Sequence, residues 1–323
     1  MPAIDHTPRL ALINFLADGE FHSGEELGQQ LGMSRAGISK HIKVIQDWGL
    51  DVYKLQGKGY RLAAPLDLLN EDRLREQTDS PSVCLQPIID STNQYLMNRI
   101  GELDSGSVCL AEYQQAGRGR RGRQWFSPFG ANLYTSMYWR LEAGMAAAMG
   151  MSLVVGISVA KTLNRLGADG VKVKWPNDIY WQDKKLAGVL VEMTGQAGGA
   201  AHLVVGLGLN VSMRDKEGGQ LDQPWTRLED ACEALPDKNQ LAAALINDLI
   251  SALRQYEQHG LGMFIEQWQA LDNYYNRPVK LLIGESVIRG IARGIDAQGA
   301  ILLETEKGLV PFVGGEISLR GEG

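Results

Sequence analysis

Residues 117–130 read Gly117-Arg118-Gly119-Arg120-Arg121-Gly122-Arg123-Gln124-Trp125-Phe126-Ser127-Pro128-Phe129-Gly130. The first six positions satisfy G-x-G-x-x-G, the dinucleotide fingerprint, which requires a helix to open on the third glycine. The residues after Gly122 include Pro128 and show no helical period, so a nicotinamide-dependent oxidoreductase on a doubly wound fold fails at this point. Three glycines and four arginines in seven positions fit a different device. Glycines let a backbone close over a ligand, and guanidinium groups grip an anion through paired hydrogen bonds. A mobile basic surface loop has the same composition. Both readings hold together if the segment orders on its ligand.

Outward from this segment, strand candidates lie at 83–89, 107–113, 132–139, 171–175, 186–193 and 202–211. Helical patterns cover 91–101, about 147–166 and 238–258. Hairpin-like strands mixed with helices predict an α+β fold with a mixed sheet across residues 66–271. Residues 272–323 break into short strands separated by Gly turns, which predicts a small β-barrel. Pro65 to about Thr78 reads as a linker that becomes helical.

Residues 1–65 predict a winged helix-turn-helix. A first helix covers 9–17. Ser23 and Glu26 form a capping box ahead of a second, which Gly32 ends. Ser34 caps a third, on which Ile38, Ile42, Ile45 and Trp48 share one face, while Arg35, Ser39, Lys40 and Lys43 fall away from it. Residues 51–62 alternate on both sides of Gly57-Lys58-Gly59, as a wing with Lys58 at its tip. A plain three-helix bundle with a solvated basic face is the alternative, and the hairpin argues for the wing.

The 323 residues are 44% hydrophobic and 22% charged, the composition of a globular protein of two or three domains. A net charge of −6 excludes a polybasic nucleic-acid coat but leaves room for a small DNA-binding module. Cys84, Cys109 and Cys232 show neither zinc spacing nor a disulfide framework. MPAIDHTPRL lacks the apolar core of a signal peptide. The longest apolar run, Met149 to Ala160, is about half of the ~20 residues that span a membrane. A cytoplasmic protein without membrane attachment is the expectation. HRD and DFG strings are absent, which excludes a protein kinase.

Three further clusters carry chemistry. Lys174-Trp175-Pro176-Asn177-Asp178, with Lys185 seven positions on, sits between two strand candidates. A lysine at the start of a strand beside the arginine-rich loop can neutralise a carboxylate or phosphate, although Pro-Asn-Asp is also an ordinary turn. Gly206-Leu207-Gly208-Leu209-Asn210 ends an apolar strand. Its glycines permit close approach of a ligand, or mark a bulge. Asp90-Ser91-Thr92-Asn93 opens a helix and is either a polar head-group site or an N-cap. The acidic-polar stretch 213–223 adds no motif.

Taken in order, STN, Q-x-x-GRGRRGR-x-W, KWPND with its following Lys185, and GLGLN resemble the biotin–protein ligases over essentially the full length. The winged helix narrows the likeness to the bifunctional bacterial form that is also a biotin-operon repressor. The resemblance implies a class II synthetase-like catalytic domain and an SH3-like C-terminal barrel. It implies ATP and biotin as substrates, with Mg2+ accompanying ATP and no protein metal site. Catalytic roles fall on Lys185, Arg120 and Asp178. Biotin contacts fall on Ser91, Thr92, Asn93, Gln114, Arg118, Gly119, Arg120 and Lys185. Nucleotide contacts fall on Arg123, Trp125, Asn177, Asn210 and Trp225, and DNA contacts on Ser34, Arg35, Ser39, Lys40, Lys43 and Lys58. The implied partners are the biotin carboxyl carrier protein of acetyl-CoA carboxylase, the operator DNA of biotin biosynthesis genes, and a second copy of the chain when adenylate is bound. A lipoate-type ligase and a non-catalytic biotin-sensing repressor are the rivals. The first shares the adenylation logic. The second has no need of Arg120 or Lys185.

Overall fold

The computed structural model describes residues 5–196, 198–214, 223–314 and 317–321. Most of the acidic-polar stretch 213–223 lies outside the described residues.

The N-terminal unit is built as its capping signals dictate. Helices α1 (Thr7–Leu16), α2 (Gly24–Leu31) and α3 (Arg35–Asp47) pack through Leu12, Leu16, Leu27, Ile38 and Ile45, all fully buried. The Ser23–Glu26 capping box is reciprocal, and Gly32 closes α2 in the left-handed region that glycine adopts without cost. Strands β1 (Val52–Leu55) and β2 (Gly59–Leu62) pair in register from Val52↔Leu62 to Leu55↔Gly59, forming the wing.

The linker is tightly held. Leu66 N donates to Ala17 O at 2.9 Å, and Leu69 N donates to Glu112 Oε1 at 2.6 Å. Glu112 and Lys238 are both 4% exposed at the side chain, with Lys238 Nζ donating to Glu112 Oε2 at 2.6 Å and to Gly130 O at 3.1 Å. This buried ion pair is satisfied on both sides, as a buried pair must be to hold its place. Helix α4 (Glu71–Gln77) follows.

The central sheet has seven strands in the order β3-β5-β7-β11-β10-β9-β8. They are β3 (Val83–Leu85), β5 (Val108–Ala111), β7 (Asn132–Leu141), β8 (Lys172–Lys174), β9 (Asp178–Trp181), β10 (Lys184–Gly195) and β11 (Ala201–Asn210). Only β3 and β5 run parallel, so the sheet is mixed as the sequence predicts. The single strand expected over 83–89 is divided. Pro87 interrupts it, and β4 (Ile88–Ile89) pairs instead with β6 (Tyr113–Gln114), because proline has no N–H for a central ladder. Cys84 and Cys109, far apart in sequence, face each other in register on β3 and β5.

Helix α5 (Thr92–Met97) covers one sheet face, and α6 (Met151–Arg165) the other, joined there by α8 (Lys238–His259), which follows the short α7 (Leu228–Ala231). The segment Met145–Arg165 is long and apolar enough to cross a membrane by composition, longer than the apolar run the sequence suggested. Met151, Val154, Val155 and Ile157 bury it in the core cluster instead. After α9 (Ile265–Leu271) the C-terminal unit forms an antiparallel sheet ordered β15-β14-β13-β12-β16. Its strands are β12 (Pro278–Ile283), β13 (Ser286–Ile295), β14 (Ile301–Thr305), β15 (Gly308–Phe312) and β16 (Ile317–Gly321). It wraps around Val279, Leu281, Ala292, Ile301 and Leu303, and β15 and β16 remain as its edges.

Candidate active site

One deep pocket of about 1400 Å³, counted to its open mouth, lies where the ends of β9, β10 and β11 meet α5, residues 118–126 and the C-terminal sheet. Residues 117–125 form a small hairpin over it. Gly119 N donates to Arg123 O at 2.8 Å, Trp125 N donates to Gly117 O at 2.9 Å, and Arg118 bridges Gln124. Arg121 (φ 61°) and Gly122 (φ 69°) turn the tip. A left-handed arginine is a strained choice. At Gly117 an added Cβ would come within 2.5 Å of Trp125 O, so the hairpin's own return strand requires that glycine.

The structure brings together every residue the sequence assigned to biotin and nucleotide. Ser91, Thr92, Asn93, Gln114, Arg118, Gly119, Arg120, Arg123, Trp125, Asn177, Asp178, Lys185, Asn210 and Trp225 all line this pocket. The six residues assigned to DNA lie on the separate N-terminal unit. Arg35, Lys40, Lys43 and Lys58 are exposed and Ser39 half-buried, while Ser34 Oγ is spent accepting from Gly37 N at 3.2 Å. Arg35 pairs with Glu25.

The glycines of GLGLN line the pocket, and they also make room for the protein's own side chains. A Cβ on Gly208 would sit 2.4 Å from the Trp125 ring, and one on Gly206 would sit 2.3 Å from Asn93 Oδ1. Asn210 likewise spends its amide on Thr226 O at 3.1 Å. That bond and the Lys185 backbone, which takes Thr226 N at 2.9 Å and gives to Pro224 O at 3.0 Å, bring Trp225 to the wall.

Charge defines the interior. Seven cations line it (Arg118, Arg120, Arg121, Arg123, Lys174, Lys185 and Arg320), and Asp178 is the one carboxylate among the described lining residues. Asp178 Oδ1 lies 2.6 Å from Lys185 Nζ, and its Oδ2 lies 3.4 Å from Lys174 Nζ. Burial works against its charge, yet Lys185 and then Lys174 hold its carboxyl below the usual range. Burial pushes the Lys174 ammonium down to about 8, against the pull of Asp178. Lys174 Nζ also donates to Tyr180 Oη at 2.7 Å. Arg120 Nη1 donates to Asn177 Oδ1 at 3.0 Å, and Lys185 Nζ lies 5.4 Å over the Trp125 ring. Thr135 Oγ1 and Trp125 Nε1 are buried pocket-lining groups without a partner among the described residues, the mark of a site that completes its hydrogen bonds on a ligand.

Sequence reasoning missed several contributors. Lys174 stands inside KWPND, yet the motif assigns it no role. Arg320 arrives from the C-terminal sheet, which no local motif announces. Thr135 and Ser136 sit mid-strand in β7, where alternation alone marks them as ordinary strand residues. Among the described residues no cluster of three His, Cys, Asp or Glu could hold a metal.

Comparison with known proteins settles the lineage. Residues 9–61 match the HTH domain, 85–210 the Biotin/lipoate A/B protein ligase family, and 274–320 the Biotin protein ligase C terminal domain. The chain is 60% identical to the bifunctional ligase/repressor BirA of Salmonella typhimurium over 98% of both chains. The chain belongs to the bifunctional ligase/repressor family of biotin protein ligases. A member without an equal extent, the biotin–[acetyl-CoA-carboxylase] ligase of Mycobacterium tuberculosis, is 32% identical over 70% of this chain and 85% of its own. The Aquifex aeolicus biotin protein ligase, solved in complex with biotin and ATP, superposes with a TM-score of 0.66 at 28% identity, covering 75% of this chain and all of its own. Against this family background the lipoate reading is not favoured: the C-terminal unit matches the biotin branch.

Proposed function

We propose that the chain activates biotin with ATP to give biotinyl-5′-AMP and pyrophosphate, then transfers biotin as an amide to a lysine of the biotin carboxyl carrier protein of acetyl-CoA carboxylase, releasing AMP. Biotin ligation joined to repression is the activity of its family. The single observation carrying the site assignment is the pocket with seven cations and one carboxylate.

The first step brings a carboxylate against a phosphate, so preorganised positive charge is what the reaction needs. Lys185 and Arg120 are assigned to the reacting carboxylate and α-phosphate. Ser91, Thr92, Asn93, Gln114, Arg118 and Gly119 are assigned to biotin, and Arg123, Trp125, Asn177, Asn210 and Trp225 to the nucleotide. Mg2+ would enter with ATP, held largely by phosphates and water. Asp178, drawn down by two ammoniums, is a weak base. Its proposed role is to aim Lys185, with deprotonation of the incoming lysine left to other groups.

The hairpin over the pocket would hold the adenylate and exclude water. The winged unit is proposed to carry the adenylate signal to operator DNA of biotin biosynthesis genes, as a dimer on two half-sites, in the cytoplasm. ATP–pyrophosphate exchange driven by biotin but not by lipoate tests the ligase. A gel shift on the biotin-gene promoter, with sedimentation, both with and without biotin plus ATP, tests the repressor. Exchange driven equally by lipoate, or association and DNA binding indifferent to biotin and ATP, overturns the corresponding half.

A further inference from the structure

One carboxylate outside the pocket lining ties two of its walls together. Glu192 Oε2, on β10, accepts from Arg118 Nη2 at 2.6 Å and from Asn93 Nδ2 at 2.9 Å. Arg118 Nη1 donates to Gln94 Oε1 at 3.0 Å. The chain of bonds continues inward: Ser136 Oγ lies 2.5 Å from Asn93 Oδ1 and 2.7 Å from Thr92 Oγ1. Thr92 in turn gives its amide to Gln114 Oε1 at 3.0 Å. The hairpin, α5 and β10 therefore converge on one oxygen.

We propose that Glu192 is a positioning residue for biotin activation. It holds the hairpin down through Arg118 and fixes the Asn93 amide, and with it the Ser136–Thr92–Gln114 wall. The inference rests on the biotin-ligase reading above. Only an ionised carboxylate can accept both donors at full strength on one oxygen. A Gln in its place would turn a less basic oxygen, or its own NH2, toward a guanidinium. An Asp keeps the charge but falls one methylene short. The pair is 35% and 27% exposed at the side chains, so solvent screens its share of global stability. The effect is concentrated in how firmly the hairpin closes.

The test uses the full-length protein and the variants Glu192→Gln, Glu192→Asp, Arg118→Gln and the Glu192→Gln/Arg118→Gln double. Biotin-dependent ATP–pyrophosphate exchange separates KM for biotin from kcat, and release of labelled biotinyl-5′-AMP reports closure. Glu192→Gln is expected to raise biotin KM on the order of tenfold and to speed release, with an unchanged melting temperature. Glu192→Asp recovers part of the loss, and the double variant is no worse than the worse single one. A parent-like biotin KM in Glu192→Gln, additive losses in the double variant, or a fall in melting temperature matching the loss overturns the proposal. If Glu192→Gln does not fold, Glu192→Asp against Arg118→Gln decides on the same readouts. A parent protein without biotin-dependent exchange removes the ligase reading itself, a different result from an active parent with an indifferent Glu192 variant.

Discussion

Trp48, at the end of the third helix of the DNA-binding unit, stacks on Phe129 with ring centroids 6.0 Å apart and 16° between planes. Its carbonyl accepts from Phe129 N at 2.8 Å, and its ring also meets Tyr113 at 5.5 Å and His6 at 5.4 Å. Tyr113 and Phe129 flank the segment that carries the arginine hairpin. The helix assigned to DNA thus ends on both roots of the loop that covers the pocket. Trp48→Ala should destabilise the protein by about 3 kcal/mol, the usual cost of removing a buried large aromatic, and should expose residues 115–128 to protease. Thermal melting and timed proteolysis check this; a hairpin cut no faster than in the parent contradicts it.

Lys185→Gln should leave the fold intact and cut the exchange rate on the order of a hundredfold or more, the scale of losing one preorganised charge-stabilising donor. Steady-state exchange with the melting temperature as control measures it.

Arg120→Gly should release the adenylate. The side chain that reaches Asn177 at 3.0 Å would be gone, and a glycine loosens the tip of the hairpin. Labelling of bystander proteins in the presence of biotin and ATP should rise above the parent level.

Lys174 loses its charge as pH rises through about 8. Below that value the pocket holds its full positive set, and above it one charge is lost, so KM for ATP should climb on the alkaline side. Lys174→Arg, which stays protonated, should flatten the climb. The same shift, from 10.5 to about 8, means the folded chain binds fewer protons than the unfolded chain between those values. The contribution of Lys174 to stability therefore rises with pH across that window and is least favourable below it.

Asp178→Asn should slow biotin activation by loosening Lys185. The pH–rate profile of transfer to the carrier lysine should keep its shape. A lost limb would assign the role of base to Asp178 instead.

Much of this architecture was legible in the chain. Caps at Ser23, Ser34 and Ser91, the Ile38–Ile42–Ile45 stripe and the wing glycines are local signals, and local signals survive in a sequence. The site motifs were each ambiguous alone, and only their order along the chain, through the family resemblance, pointed to one pocket. What stayed hidden depends on distant partners. Glu192 reads as a polar position near the end of a strand until Arg118 and Asn93 are folded onto it. Arg320 belongs to another unit. The packing of Trp125 on Gly208 could not be read from that glycine, because close approach to a ligand and close approach to an indole leave the same mark in sequence. Cys84 and Cys109 meet only through a crossover of 24 intervening residues.

The Glu112–Lys238 pair bears on how such a molecule can be shortened. Its carboxylate also takes the amide of Leu69, and Asp67 Oδ2 takes that of Lys238 at 2.7 Å. The tether between the helix-turn-helix head and the ligase body is therefore a sewn seam rather than a free string. A truncation that begins beyond Leu69 would unpick two stitches next to Gly130 at the base of the arginine hairpin. One that begins before Asp67 would keep the seam whole.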